Sequence, residues 1–198
     1  MRKVTALAIG SLVLGAGLAA AADSATVPRE PFAKAHVSMM ARTEAASDHE
    51  PRLAEIDVWA EGSRLRARVR NDPKSGELWI DGLAAEPLCI LDGKVAEPRK
   101  RTLEAGLKTA FAPSPSLASA NTDRVAGRPC KVINETLPGG ATLSRCIWRG
   151  LPLSIEFKAR GFSFNAAATL VEEGAVTVAD LQPPAGAPAA PASLSAGR

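Results

Sequence analysis

The feature that most constrains the fold of this chain is an alternation of apolar and polar residues with a period of two. In residues 153–160, LSIEFKAR, every apolar residue from Leu153 to Ala159 is followed by a polar one. Successive side chains of a β-strand point to opposite faces, so this pattern predicts a strand with one buried face. Further strands are predicted on similar grounds at residues 33–43, 54–60, 77–82, 162–170 and 175–181.

An arginine alternation in residues 63–70, SRLRARVR, predicts another strand. Arginine occupies positions 64, 66, 68 and 70, and Leu65, Ala67 and Val69 lie between them. In one interpretation the arginines face water beside acidic residues of the preceding strand, such as Glu55 and Asp57, where cross-strand charge pairs form. In the other, they form an anion-binding stripe for phospholipid headgroups.

One segment has helical periodicity. In residues 101–111, RTLEAGLKTAF, the apolar residues Leu103, Leu107 and Phe111 recur every four positions, and Thr102 can serve as the N-cap. Short turns between strands favour antiparallel pairing, and one-sided alternation indicates that each strand buries one face. The predicted fold is therefore mainly β (α+β), a single curved antiparallel sheet with this helix on its apolar, concave face.

The termini are predicted to lie outside that domain. Residues 1–22 combine Arg2 and Lys3, a short apolar run and an A-x-A site, the pattern of a cleaved secretory signal. We expect a polar lead at 23–31, the folded domain at 32–182 and a disordered Pro/Ala-rich tail at 183–198. Since no cysteine lies at the cleavage site, we expect a soluble, exported protein.

The charge of the predicted mature chain is close to neutral. Removal of Arg2 and Lys3 leaves 22 of the 24 basic residues against 21 acidic ones. A nucleic-acid-binding domain usually carries a strong basic excess, so we expect no nucleic-acid partner.

The three cysteines are interpreted through a predicted hairpin. The segment 126–157 contains the turn sequence LPGG, and folding the chain about Pro138 places Cys130 opposite Cys146. Directly opposed residues are close enough for a disulfide after small adjustments. An exported chain is in an oxidising compartment, so we predict a Cys130–Cys146 disulfide. Cys89 is then the odd thiol, and we expect it to be buried.

A family resemblance follows from the order of these segments. The segments are, in order, EGSRLRARVR, ELWIDG, a helix, VAGRPCKV, CIWRGLPLSIEF, a late strand and a Pro-Gly ending. This order resembles that of the LolA/LolB-like superfamily of periplasmic proteins, over about Pro31 to Gly186. The resemblance implies an open, strongly bent β half-barrel with a helical lid over an apolar cavity. It also implies an arginine inside the barrel that ties down the lid, and Arg64, Arg66 and Arg68 are the candidates.

Catalysis, metal binding and cofactors are not expected. A hydrolase needs a base beside its nucleophile, and the only histidines are His36, on a predicted strand, and His49, in the polar turn SDHEP. The consecutive Asp48, His49 and Glu50 would not converge on a metal. We therefore predict a protein that is not an enzyme.

Two functions remain open from the sequence. In the first, a monomeric periplasmic protein shelters a lipid, an acyl chain or a lipoprotein in its apolar cavity. The candidate lining residues are Ile56, Val58, Leu65, Val69, Leu103, Leu107, Phe111, Ile155, Phe157, Phe162 and Phe164. In the second, the same fold has a filled core and binds or senses an envelope protein.

Overall fold

The residues described form one mainly β structure. The structure is a computed structural model that describes residues 30–46, 50–71, 74–81, 88–91, 94–95, 103–112 and 121–183. The first six strands are β1 Phe32–Ala45, β2 Arg52–Gly62, β3 Arg64–Asn71, β4 Lys74–Asp81, β5 Leu88–Leu91 and β6 Lys94–Val95. Helix α1 Leu103–Ala110 precedes the remaining strands, which are β7 Asn121–Val125, β8 Arg128–Thr136, β9 Thr142–Trp148, β10 Leu151–Ala159 and β11 Phe162–Glu173.

The eleven strands within the described residues belong to one antiparallel sheet. Their order is β6-β5-β4-β3-β2-β1-β11-β10-β9-β8-β7. Two meanders, β1 to β6 and β7 to β11, are joined at the centre by the pairing of β1 with β11. The order has two ends, so the sheet formed by the described strands is open. Helix α1 lies in the connection between the two edge strands, β6 and β7.

The arginine-rich strand β3 has the orientation that its alternation predicts. Leu65, Ala67 and Val69 are completely buried, whereas the arginines point to the other face. Arg70 lies opposite Glu55 and donates a hydrogen bond of 2.7 Å to the Asp57 carboxylate. The interpretation as a solvated face beside acidic neighbours therefore describes this strand.

The hairpin formed by β8 and β9 confirms the predicted disulfide but not the predicted register. Cys130 and Cys146 are bonded, with their Cα atoms 5.3 Å apart. Cys146 lies opposite Val132 rather than opposite Cys130. The register differs because the turn centres on Gly139 instead of Pro138: Gly140 N donates to Leu137 O, and Gly139 and Gly140 both have positive φ. Cys89 is buried, as predicted.

The prediction of a strand at residues 175–181 is wrong. Residues 178–181 form a turn instead, with Val176 and Leu181 buried and Val178 exposed. Asp180 accepts hydrogen bonds of 2.7 Å from both the backbone N–H and the hydroxyl of Thr177, while Asp180 N donates back to the Thr177 hydroxyl. This reciprocal arrangement is a capping box, and its T-x-x-D pattern was present in the sequence. Its local hydrogen bonds outweigh the apolar alternation.

The capping box makes this turn sensitive to acid. The Thr177 hydroxyl, and then its N–H, hold the pKa of the Asp180 carboxyl below its ordinary value of 3.8. A group whose pKa is lowered by folding contributes stability above its unfolded pKa, and that contribution is lost as the pH falls through the folded value. We expect hydrogen-exchange protection of the Leu181 and Gln182 amides to fall as the pH drops below the ordinary carboxyl value of 3.8.

An isosteric variant separates this effect from general acid unfolding. Asp180→Asn removes the titrating carboxyl, so the acid-dependent loss of protection at this turn should disappear. Asp123→Asn, an equivalent change on the exposed strand β7, should leave it in place. The same acid dependence in Asp180→Asn would show that another group controls the turn.

Candidate functional site

One face of the sheet carries the helix and most of the predicted lining residues; it is called the helix-side face below. A Cβ added at Gly106 of α1 would lie 2.9 Å from the Phe164 ring of β11, so the helix packs directly on this face. Nine of the predicted lining residues are buried: Ile56, Val58, Leu65, Val69, Leu107, Phe111, Ile155, Phe162 and Phe164. Phe157 is half-buried, and the side chain of Leu103 lies outside the described part of the helix.

Helix α1 joins the two meanders across the helix-side face. It contacts β4 and β5 of the first meander and β10 of the second. Leu107 is completely buried and Phe111 is 2% exposed, as the four-residue spacing predicts for the apolar side of a short helix. Gly106 permits the close approach to Phe164, because any larger residue would meet the ring.

A buried arginine holds the C-terminal end of this helix. Arg145 of β9 is 3% exposed. Its Nη1 donates hydrogen bonds to Ala110 O, at 3.0 Å, and to Ala112 O, at 2.8 Å. Its Nη2 forms an ion pair with the Glu135 carboxylate of β8. The last carbonyls of a helix lack partners within the helix, so Arg145 satisfies the helix end and attaches it to the sheet.

Arg145 occupies the place that the resemblance assigned to an arginine of β3. Arg64, Arg66 and Arg68 alternate with the buried residues Leu65 and Ala67 and therefore point away from the helix. Arg145 instead lies directly opposite Ile133 and Ile155, on the helix-side face. The inward arginine was therefore predicted on the wrong strand.

The opposite face carries a polar network around His36. Its ring stacks on Trp59, with centroids 5.2 Å apart. The two ring nitrogens lie 3.0 Å from Glu172 Oε2 and 3.3 Å from Asp57 Oδ1. The Ser38 hydroxyl donates to Asp57 rather than to the histidine. Within the network as described, no nucleophile and base are paired, and its hydrogen bonds connect β1, β2 and β11.

Two surface pockets are lined entirely by described residues. One, of about 600 Å³, crosses the face opposite the helix and includes Met40, Leu53 and Ala167. The other, of about 650 Å³, lies at the ends of β1, β10 and β11, where Phe162 is flanked by Glu44 and Lys158. Of the predicted lining residues, Ile155 borders the first pocket and Phe162 borders the second. The other buried ones lie in the core and line neither pocket.

Across the ranges that the structure describes, no three histidine, cysteine or acidic side chains come together in a way that could hold a metal ion. Asp48 and His49 lie outside those ranges. The described helical residues form no segment with the length and hydrophobicity that crossing a bilayer requires.

The described residues define a class of protein with one open antiparallel sheet and one apolar face that carries a short helix. No protein-family model matches the sequence, and no curated protein matches it. Among solved structures, the chain is similar to a chain of the Pseudomonas aeruginosa MucA/MucB complex, with 20% identity and a TM-score of 0.41. It is also similar to MucB in complex with MucA(peri), with 20% identity and a TM-score of 0.42.

A third similar structure is a domain from Vibrio parahaemolyticus named as an outer membrane lipoprotein-sorting protein, with 10% identity and a TM-score of 0.36. These alignments cover 76%, 79% and 74% of this chain. They cover 56% and 55% of the two MucA/MucB chains and 88% of the Vibrio domain. This chain therefore spans little more than half the length of the two MucA/MucB chains.

Proposed function

We propose that this chain is an exported, non-enzymatic binding protein that shelters a lipid or acyl chain between α1 and the helix-side face of a strongly bent sheet. In this proposal α1 is a lid, Arg145 is its anchor, and the buried apolar residues around Leu107 line the ligand site. The protein acts in the periplasm as a monomer after removal of its signal sequence. No catalytic group takes part, because apolar burial alone supplies the affinity.

The observation that supports this proposal is the set of strands that the helix contacts. In the sheet order, β4 and β10 are separated by five inter-strand spacings of about 4.8 Å, or about 24 Å if the sheet were flat. Helix α1 has eight residues and is therefore only about 12 Å long. Contact with both strands favours a sheet that bends around the helix. The concave side of such a sheet is the apolar one.

The energetics of an acyl ligand fit an apolar surface of this kind. Burial of a methylene group contributes about 0.8 kcal/mol, so a long chain can bind without specific polar contacts. The helix has only eight residues and lies outside the sheet, and such a segment can open at a lower free-energy cost than a core strand. Displacement of α1 is the movement we infer for ligand uptake.

A second candidate function is favoured by the close packing of the same residues. Ile56, Leu65 and Phe164 are completely buried, as expected for an ordinary filled core. The chain would then bind or sense an envelope protein through its outer surface and take up no lipid. The first function predicts that a lipid is bound to the protein in its own envelope, and the second predicts a bound polypeptide.

Native mass spectrometry of protein purified from its own envelope tests the proposal. The carrier function predicts a co-purifying lipid that is lost in Leu107→Glu, because a buried carboxylate disrupts the apolar site. Val178→Glu, the same kind of change at a side chain that is 76% exposed, should retain the lipid. Circular dichroism shows whether Leu107→Glu is folded. An unliganded wild-type mass with a bound polypeptide would support the second function and contradict the first.

A further inference from the structure

Arg145 carries a hydrogen-bond donor that the described contacts leave unused. The guanidinium directs Nη1 to two carbonyls at and just beyond the end of the helix and Nη2 to Glu135. Its Nε is buried and has no hydrogen-bond partner. Buried polar groups are nearly always satisfied, so an exception calls for a physical explanation. A donor held between the sheet and the end of α1 would be satisfied by an acceptor on a ligand.

The surroundings of Arg145 indicate the charge of that acceptor. Glu135 already compensates the guanidinium, and its side chain is only 17% exposed. A second carboxylate beside this pair would add an uncompensated buried charge, which is costly. An uncharged carbonyl oxygen would accept the Nε–H without that cost. The pair therefore favours an ester or amide carbonyl over a free fatty acid.

The neighbours of Arg145 indicate what is attached to that carbonyl. Ile133 and Ile155 flank it on the adjacent strands, and Leu143 beside it lies opposite Phe157. The partly exposed Glu135 lies on the side nearer to solvent, with a side chain more exposed than that of Arg145. An acyl chain could thus lie along the apolar residues while its polar headgroup extends past Glu135.

We propose that Arg145 Nε is the recognition donor for the carbonyl oxygen of an acyl ester or acyl amide bound on the helix-side face. This inference rests on the proposed function, since it names the chemical class of the ligand for the same site. Arg145 then has two roles, because it both anchors α1 and contacts the ligand. Ligand binding completes the hydrogen bonding of a group that is otherwise unsatisfied.

A matched pair of lipids tests the inference without any mutation. Glycerol monolaurate has an ester carbonyl, and glycerol monododecyl ether has the same headgroup and chain length without it. Calorimetric titration of the purified protein, below the aggregation concentration of each lipid, should give a dissociation constant about 10- to 100-fold lower for the ester. Laurate, which carries a carboxylate, should bind more weakly than the ester.

A variant and a direct spectroscopic signal locate the effect at Arg145. Arg145→Lys keeps the positive charge beside Glu135 but removes Nε, so the ester and the ether should bind equally. Arg160→Lys, at an exposed turn, should preserve the difference. In ¹⁵N spectra of the wild type, the Nε–H resonance of Arg145 should shift on addition of the ester and remain in place with the ether.

Each outcome separates this inference from the proposed function. If the ester and the ether bind the wild type equally, or if laurate binds best, the carbonyl assignment is wrong while acyl binding stands. If none of the three lipids binds, the proposed function fails together with the inference. If Arg145→Lys does not fold, the wild-type comparison and the Nε–H resonance still decide.

Discussion

Replacement of Arg145 by methionine is expected to lower the free energy of unfolding by about 3 kcal/mol. Removing one partner of a buried ion pair leaves the other charge without compensation, which typically costs 3–5 kcal/mol. Glu135 keeps partial access to water, so the lower end of that range applies. The carbonyls of Ala110, the last residue of the helix, and of Ala112, just beyond it, also lose their donor. For a chain of this length the midpoint of thermal unfolding should fall by about 6–12 °C.

Urea unfolding measures this change, and hydrogen exchange locates it. The Phe111 amide, which donates to Leu107 O at the end of the helix, should lose protection before the amides of β1 and β2. Arg160→Met, the same substitution at an exposed position, should change stability by less than about 0.5 kcal/mol. A similar loss in both variants would mean that the ion pair and the helix anchor contribute nothing specific.

Removing the charge of Glu135 tests independently whether Arg145 and Glu135 interact directly. Glu135→Gln in the Arg145→Met background removes the carboxylate that has lost its arginine, so the double variant should be more stable than Arg145→Met alone. Groups that share one hydrogen-bond network give non-additive effects of about 0.5–3 kcal/mol. Additive losses would contradict a direct interaction between the two side chains.

The amino-acid pattern was sufficient to predict the long strands and the helix. The period of two in β1 to β3, β10 and β11 comes from one buried face, and that face is a property of the local sequence. The hairpin of β8 and β9 was predicted from its turn sequence, LPGG. The edge strands lack this signal. Lys94–Val95 has two residues, and Asn121–Val125 is exposed at four of its five positions. Their pairing depends on the neighbouring strand, so no local pattern reveals it.

The inward arginine was missed although the sequence contained a signal for it. In residues 142–148, TLSRCIW, Arg145 occupies the same alternation as Leu143 and Ile147, which is the apolar set of that strand. An arginine within an apolar row requires a buried partner. Glu135 provides one through the β8–β9 pairing, but the register that identifies it depends on the turn at Gly139, which the sequence reading centred one residue earlier.

Whether the helix-side face encloses a ligand or is filled by side chains could not be predicted from the sequence, for a different reason. Alternation identifies which residues face inward, and nine of the eleven predicted lining residues are buried there. Whether inward residues enclose a ligand or fill the space depends on side-chain volumes and on the distance between the helix and the sheet. Both are properties of packing across many elements, and packing is not encoded in any short segment.

Removal of the Cys130–Cys146 disulfide is expected to destabilise the protein by about 3 kcal/mol. The bond closes a loop between residues 16 positions apart. By the chain-entropy estimate, a loop of this length contributes about 3 kcal/mol by restricting the unfolded chain. The double substitution Cys130→Ala and Cys146→Ala should therefore shift the urea midpoint to lower concentration. A Cys89→Ala protein that keeps the bond should show the same loss when a reductant is added, whereas the reductant should not affect the doubly substituted protein.

The disulfide also supports the helix anchor, and this gives its loss a second measurable effect. Cys146 follows Arg145 directly, and its cross-strand neighbour Val132 lies two residues from Cys130. The bond thus fixes β8 and β9 where Arg145 meets Glu135. In a double-mutant cycle, Arg145→Met should cost less in the protein without the disulfide, by at least about 0.5 kcal/mol, because the anchor there is already weakened. An equal cost in both backgrounds would mean that the bond acts only by restricting the unfolded chain, without holding the anchor in place.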